Sequence, residues 1–110
     1  GSATLANVYN GGNQNISNGG IASRTKISAG TQNIYDGGLA DSTTVSNGGT
    51  QNISSYGSAH FTSIYNGGTQ NILDGGQATT TTIISGTQNI LSGGTANTVI
   101  NLLIYLPAGI

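Results

Sequence analysis

The tripeptide Gln-Asn-Ile occurs five times in this chain of 110 residues, and its regular spacing constrains the fold more than any other feature. The glutamines that open the tripeptides are 18, 19, 19 and 18 residues apart. An Ala stands six positions after each Ile, and in the first four repeats a Thr and then an Ile or Val follow that Ala. A short, fixed period of this kind is typical of a solenoid, in which each repeat forms one turn of the polypeptide.

Glycine pairs divide each repeat and argue against helices. The apolar spacing of an amphipathic helix is absent, and Gly is a poor helix former. Ile, Val and Thr favour strands, whereas Asn-Gly and Asp-Gly favour tight turns. We therefore expect two short strand segments per repeat and predict an all-β fold, a right-handed parallel β-helix of about five rungs of 18–19 residues. An array of hairpins is less favourable because isolated hairpins cannot bury a core.

Stacking the repeats aligns equivalent residues into ladders. One predicted aliphatic ladder contains Ile16, Ile34, Ile53, Ile72 and Ile90, and a second contains Val8, Ile27, Val45, Ile64 and Ile83. Alternation along the strand places the Gln ladder inside, at Gln14, Gln32, Gln51, Gln70 and Gln88. It places the Asn ladder outside, at Asn15, Asn33, Asn52, Asn71 and Asn89. Buried glutamines can bond to one another along the axis. Alternatively, the Gln marks a corner at which the alternation breaks.

A third ladder consists of alanines, which we expect at a tight bend: Ala22, Ala40, Ala59, Ala78 and Ala96. The repeats occupy residues 8–99, and residues 1–7 form an N-terminal edge in which Gly1-Ser2 is interpreted as a cloning scar. The spacing after Ala96 predicts a last repeat that is one residue short. Residues 100–110 then form a divergent rung or cap, or a surface that pairs with another polypeptide. We expect the sequence to be a piece of a longer protein.

The composition excludes several functions. Two basic residues are too few for nucleic-acid binding, which depends on phosphate neutralisation. The absence of Cys excludes disulfides and thiolate metal sites. His60 is the only histidine, and it has no evident carboxylate partner for acid–base catalysis. The Asp36 and Asp74 turns are similar to those of calcium β-rolls but lack the repeated ligand carboxylate. We therefore predict no enzyme activity, no cofactor, no metal site and no small-molecule substrate.

The unit from Gly67 to Ile83, GGTQNILDGGQATTTTI, resembles the repeat of AIDA-type self-associating autotransporter adhesins, GGxQxVxxGGxAxxTxV. The resemblance extends over residues 8–99. It implies a fragment of a passenger domain that is exported through the outer membrane to the bacterial cell surface. There it would mediate cell–cell aggregation, biofilm formation and host-cell adhesion. The implied partners are copies of the protein on neighbouring cells and a receptor or glycan on the host surface.

The same resemblance implies O-heptosylation of Ser and Thr by a dedicated transferase. Outward positions supply the candidate glycosylation sites, which are Ser42, Thr44, Ser63, Thr79, Thr80 and Thr82. The plainer interpretation is that these residues are only polar strand formers. Two other functions remain open from the sequence: a structural spacer that holds a distal adhesive tip, and an ice-binding solenoid with regular Thr rows.

Overall fold

The computed structural model describes residues 2–101, which form an all-β solenoid of about five turns with parallel strands. The predicted fold class is therefore confirmed. Each turn of the solenoid is one rung, and equivalent strands of successive rungs pair with each other. The strands within these residues are β1 (Ser2–Thr4), β2 (Asn7–Tyr9), β3 (Asn13–Ile16), β4 (Ile21–Ser23), β5 (Lys26–Ser28), β6 (Thr31–Ile34), β7 (Leu39–Asp41), β8 (Thr44–Ser46), β9 (Thr50–Ile53), β10 (Ser58–Tyr65), β11 (Thr69–Ile72), β12 (Gln77–Ile84), β13 (Thr87–Ile90) and β14 (Thr95–Asn101).

Each rung has three faces rather than two. Face 1 contains β1, β4, β7 and the first parts of β10, β12 and β14. Face 2 contains β2, β5, β8 and the later parts of the same three long strands. Face 3 is a separate five-stranded sheet of β3, β6, β9, β11 and β13. Its register pairs Gln with Gln, Asn with Asn and Ile with Ile on every rung.

The extra corner lies between faces 1 and 2 and contains no glycine. It is made by one residue per rung with a left-handed backbone, at φ between 56° and 61°. This αL column comprises Leu5, Arg24, Ser42, Phe61, Thr80 and Thr98. Backbone bonds to the next rung brace it, as where the Arg24 amide donates to the Asp41 carbonyl at 2.8 Å. The expectation of two strand segments per repeat holds for the later rungs, where β10, β12 and β14 run through this bend. In the earlier rungs the bend divides the same segment into two short strands, so these rungs have three.

The other two corners use glycine. The first glycine corner, between faces 2 and 3, lies at 10–12, 29–30, 47–49, 66–68 and 85–86. The second glycine corner, between faces 3 and 1, lies at 18–20, 36–38, 55–57, 74–76 and 92–94. The final Gly of a corner packs against the preceding rung: a Cβ on Gly68 would lie 2.5 Å from the Val45 carbonyl oxygen. Glycine at this position is therefore required for the rungs to stack.

The interior contains the aliphatic ladders and the alanines. The first four members of the first Ile ladder pack into one buried cluster with four alanines, Ala22, Ala40, Ala59 and Ala78. These alanines stand in the middle of the strands of face 1, not at a bend. The predicted bend was wrong because these Ala side chains point into the core from within a strand. Their small size leaves room for the Ile side chains that pack against them. Val8, Ile27 and Val45 form a second buried cluster, and Ile64 and Ile83 continue their column.

The last rung keeps the register of the others. Strand β14 pairs with β12 at one constant offset, placing Val99 beside Thr81 and Asn101 beside Ile83. The predicted shortening of this repeat was therefore wrong; the residue types change while the spacing is maintained. Ile90 lies in register with Ile72 but is 52% exposed at the end of its ladder. The predicted cap at residues 100–110 lies almost entirely outside the described residues.

Candidate functional surface

The five glutamines form a hydrogen-bonded ladder inside the solenoid. From Gln32 onward, each Nε2 donates to the Oε1 of the Gln one rung earlier, and all four of these bonds are 2.7 Å long. Gln32, Gln51 and Gln70 are fully buried. Of the two arrangements left open by the sequence, the structure has the inward one, and the strand alternation is unbroken at Gln.

Threonines from the neighbouring face complete the buried polar network. The hydroxyls of Thr43, Thr62 and Thr81 donate to the Oε1 of Gln32, Gln51 and Gln70 at 3.2–3.4 Å. Each central Gln oxygen therefore accepts one amide and one hydroxyl. Thr25 is the exception: its buried Oγ1 has no hydrogen-bond partner among the described residues.

The outer side of face 3 is a regular polar lattice. Four hydrogen bonds from Nδ2 to Oδ1 join the five asparagines along the axis at 2.9–3.0 Å. A parallel column of outward threonines runs two residues away, at Thr31, Thr50, Thr69 and Thr87. We call these two columns the Asn–Thr face. The five strands that carry it contain no charged residue.

The six candidate glycosylation residues lie together around the αL column and the adjoining edges of faces 1 and 2. Thr44, Ser63 and Thr82 stand in register on three successive rungs. Ser42 and Thr80 belong to the αL column, and Thr79 precedes Thr80 on face 1. Ser42 is exposed and the other five are partly buried, so all six lie outside the core. The Ser42 hydroxyl donates to Asp41 Oδ1 at 3.4 Å.

The αL column is chemically mixed, because Arg24 and Phe61 interrupt its hydroxyl residues. An ice-binding surface of the kind considered from the sequence needs uniform Thr rows at this position. The column therefore weighs against that function for faces 1 and 2.

The outward threonines of the Asn–Thr face were not among the surface hydroxyl residues predicted from the sequence. The signal was available, because each of these threonines directly precedes a Gln. Once Gln is inward, alternation makes the preceding Thr and the following Asn outward.

Residues 2–101 show no clustered metal ligands. These residues hold no group of three or more His, Asp or Glu side chains able to bind a metal ion. No helix in this range is long and apolar enough to cross a membrane.

Comparisons with known proteins agree with this architecture. A family model described as adhesin of bacterial autotransporter system, probable stalk, matches residues 34–87. A crystal structure of a TibC-catalysed hyper-glycosylated TibA fragment is similar, with 45% sequence identity and a TM-score of 0.86. That similarity covers 87% of this chain and 36% of the TibA fragment. No curated protein matches the sequence.

Proposed function

Because the repeats of this protein belong to the AIDA-type autotransporter adhesins, we propose that it is a glycosylated stretch of an adhesin stalk that takes part in cell–cell and cell–host contact. The sequence is part of an autotransporter passenger domain. Members of this family are exported through the outer membrane to the bacterial cell surface, so the predicted localisation is confirmed. The family match and the solenoid fold support a structural role.

The proposal rests on the columns of outward hydroxyl side chains on this solenoid. The rungs that carry these columns are similar in structure to those of the hyper-glycosylated TibA fragment. Rungs are about 4.8 Å apart, so a column such as Thr44, Ser63 and Thr82 presents acceptor oxygens at short, regular intervals. The partner implied is a glycosyltransferase, and from the family resemblance we propose O-heptosylation.

Coexpression with a heptosyltransferase tests the glycosylation. Intact mass spectrometry should show the protein with whole numbers of added heptose units, located by fragmentation on the six candidate residues. The buried Thr43, Thr62 and Thr81 are internal controls, because sugar on them is incompatible with the folded core. An unmodified mass after coexpression with an active transferase would contradict this part of the proposal.

The adhesive role is assigned to the Asn–Thr face. Its side chains can exchange many weak hydrogen bonds with another surface, each worth about 1 kcal/mol net, so binding strength must come from long arrays. The absence of charge in its strands lets two such faces approach without electrostatic repulsion.

Surface display separates adhesion from a spacer role. The rungs would be inserted in an autotransporter passenger on a non-aggregating bacterium, and cell settling and biofilm mass would be measured. The triple variant Asn33→Lys, Asn52→Lys and Asn71→Lys places charge on the Asn–Thr face. The triple variant Ser28→Lys, Ser46→Lys and Tyr65→Lys is the matched control on face 2, because these residues are partly buried like the three asparagines and are not candidate glycosylation sites. We expect only the first to lose aggregation. Equal aggregation by both variants and the parent would instead assign these rungs a spacer role.

A further inference from the structure

Four turns of this protein have the same local sequence, Asn-Gly-Gly, and the same backbone conformation. They begin at Asn10, Asn18, Asn47 and Asn66. The φ angles are 42–50° at the Asn and 75–84° at the first Gly. In all four, the second Gly closes the turn by donating to the carbonyl three residues earlier at 2.8–2.9 Å. All four Asn side chains are exposed.

The four turns differ in what lies over the amide of the first Gly. The Gly11 amide donates to the Ala29 carbonyl at 2.8 Å, and the Gly67 amide donates to the Ser85 carbonyl at 2.9 Å. Both acceptors belong to the one-residue-shorter turns of the next rung, 29–30 and 85–86. A shorter turn brings its carbonyl directly over the preceding Gly amide.

Over the other two turns the next rung has a turn of full length. Within residues 2–101, no backbone carbonyl accepts a hydrogen bond from the amide of Gly19 or Gly48. A glycine of the next rung lies near each amide: a Cβ on Gly37 would lie 3.8 Å from the Gly19 nitrogen, and one on Gly67 would lie 3.9 Å from the Gly48 nitrogen. The Asn47 side chain is restrained separately, because its Nδ2 donates to Ser28 Oγ at 3.1 Å.

We propose that Asn18 is a site of spontaneous deamidation, that Asn47 reacts more slowly, and that the shortened turns protect Asn10 and Asn66. In this reaction the Gly19 amide nitrogen gives up its proton to solvent base and attacks Cγ of Asn18. The bond between Cγ and Nδ2 of Asn18 breaks as Nδ2 takes up a proton from solvent and leaves as ammonia, and a five-membered succinimide remains. Water then opens the ring to an aspartyl or isoaspartyl residue. A Gly amide held by a carbonyl keeps its proton and its position, so its attack is slowed.

The product matters for the second glycine corner. Asp36 occupies the position equivalent to Asn18 on the next rung. Deamidation therefore places two carboxylates on adjacent rungs, where like charges are destabilising. An isoaspartyl linkage also lengthens the backbone within a turn that the stacking holds tightly.

The test is an incubation of the purified protein in mildly alkaline buffer, followed by proteolysis and mass spectrometry with fragment-ion localisation. We expect Asn18 to convert about fivefold faster than Asn10 and Asn66, the ratio that corresponds to the net value of one hydrogen bond. Asn47 should lie between them. In denaturant all four should convert at similar rates, because they share the sequence Asn-Gly-Gly.

Two variants extend the test. Insertion of one Gly after Ser85 lengthens the shortened turn and should raise the Asn66 rate to that of Asn18, because the side-chain hydrogen bond that restrains Asn47 has no counterpart at Asn66 among the described residues. Ser28→Ala removes the hydroxyl acceptor and should raise the Asn47 rate to that of Asn18. Circular dichroism shows whether each variant folds, and the order of rates in the parent protein decides the matter without them. Equal rates at the four sites in the folded protein, or faster reaction at Asn10 or Asn66, would overturn the proposal.

Discussion

At the scale of single residues, the central glutamines are the least replaceable polar groups of the solenoid. A buried amide must find partners, since an unsatisfied buried donor or acceptor costs about 1–3 kcal/mol. Gln51 satisfies this requirement by donating to Gln32 and accepting from Gln70 and Thr62. Asn52, its neighbour in the same strand, makes equivalent axial bonds on the outside, where water can replace them.

Gln51→Leu should therefore lower the free energy of unfolding by about 2–4 kcal/mol, because Gln70 and Thr62 lose their buried acceptor. Asn52→Ala is the matched control and should cost less than about 1 kcal/mol, because its bonds are partly exposed. Urea unfolding followed by circular dichroism measures both. Equal losses would show that burial does not distinguish the two ladders.

Thr25 and Thr62 occupy equivalent positions but differ in their hydrogen bonds. Thr62→Val should cost about 1 kcal/mol, because it removes the bond to Gln51. Thr25→Val should be neutral or stabilising, because the hydroxyl that it removes is buried without a partner among residues 2–101. Chemical denaturation of the two variants side by side tests this difference. A larger loss for Thr25→Val would contradict the assignment of that hydroxyl as unpartnered.

At the scale of elements, the corners fix the shape of each rung. The glycine corners and the strands between them could be predicted from the sequence, because Asn-Gly, Asp-Gly and the Ile spacing recur along the repeats. The αL column could not be predicted, because its six members belong to five residue types. Its left-handed conformation costs roughly 1–2 kcal/mol per residue and is imposed by the hydrogen bonds between rungs. The outward hydroxyl column beside it, Thr44, Ser63 and Thr82, could be predicted from strand alternation alone.

Two adjacent glycines of one turn, Gly67 and Gly68, are required for different reasons, the first for its backbone conformation and the second for packing between rungs. Gly67 has φ +79°, and a Cβ placed on it would have no atom nearer than 3.9 Å, so Gly67→Ala should cost about 1 kcal/mol in backbone strain. Gly68→Ala brings a methyl group against the Val45 carbonyl and should cost at least about 2–3 kcal/mol by overpacking. Thermal unfolding measured by circular dichroism compares the two variants. A greater loss for Gly67→Ala would show that conformation outweighs stacking in these turns.

At the scale of the whole molecule, the solenoid is a stack in which each rung contacts only its neighbours. Its stability is then close to a sum of rung and interface contributions, and the end rungs have one interface each. The core shows this directly, since Ile34, Ile53 and Ile72 are fully buried whereas Ile90 at the end of their ladder is half-exposed.

Hydrogen exchange should therefore be slowest in β9 and β11 and fastest in β1 and β14, because local opening begins at the ends. Native-state exchange resolved by mass spectrometry or NMR measures this gradient. Uniform protection along the axis would instead show that the rungs unfold as one cooperative unit.

The uniform direction of the two amide ladders gives the rod an electrical polarity. Every Gln and Asn bond donates toward the N-terminal rung, whereas the backbone bonds between rungs point both ways, as Leu5 to Ser23 and Lys26 to Ala6 show. The dipoles of the backbone peptide groups therefore largely cancel along the axis, whereas the dipoles of the Gln and Asn side-chain amides add. A primary amide has a dipole comparable to that of a peptide unit, about 3.5 D. A long stalk of such rungs is a macrodipole whose two tips differ in potential although its net charge is small.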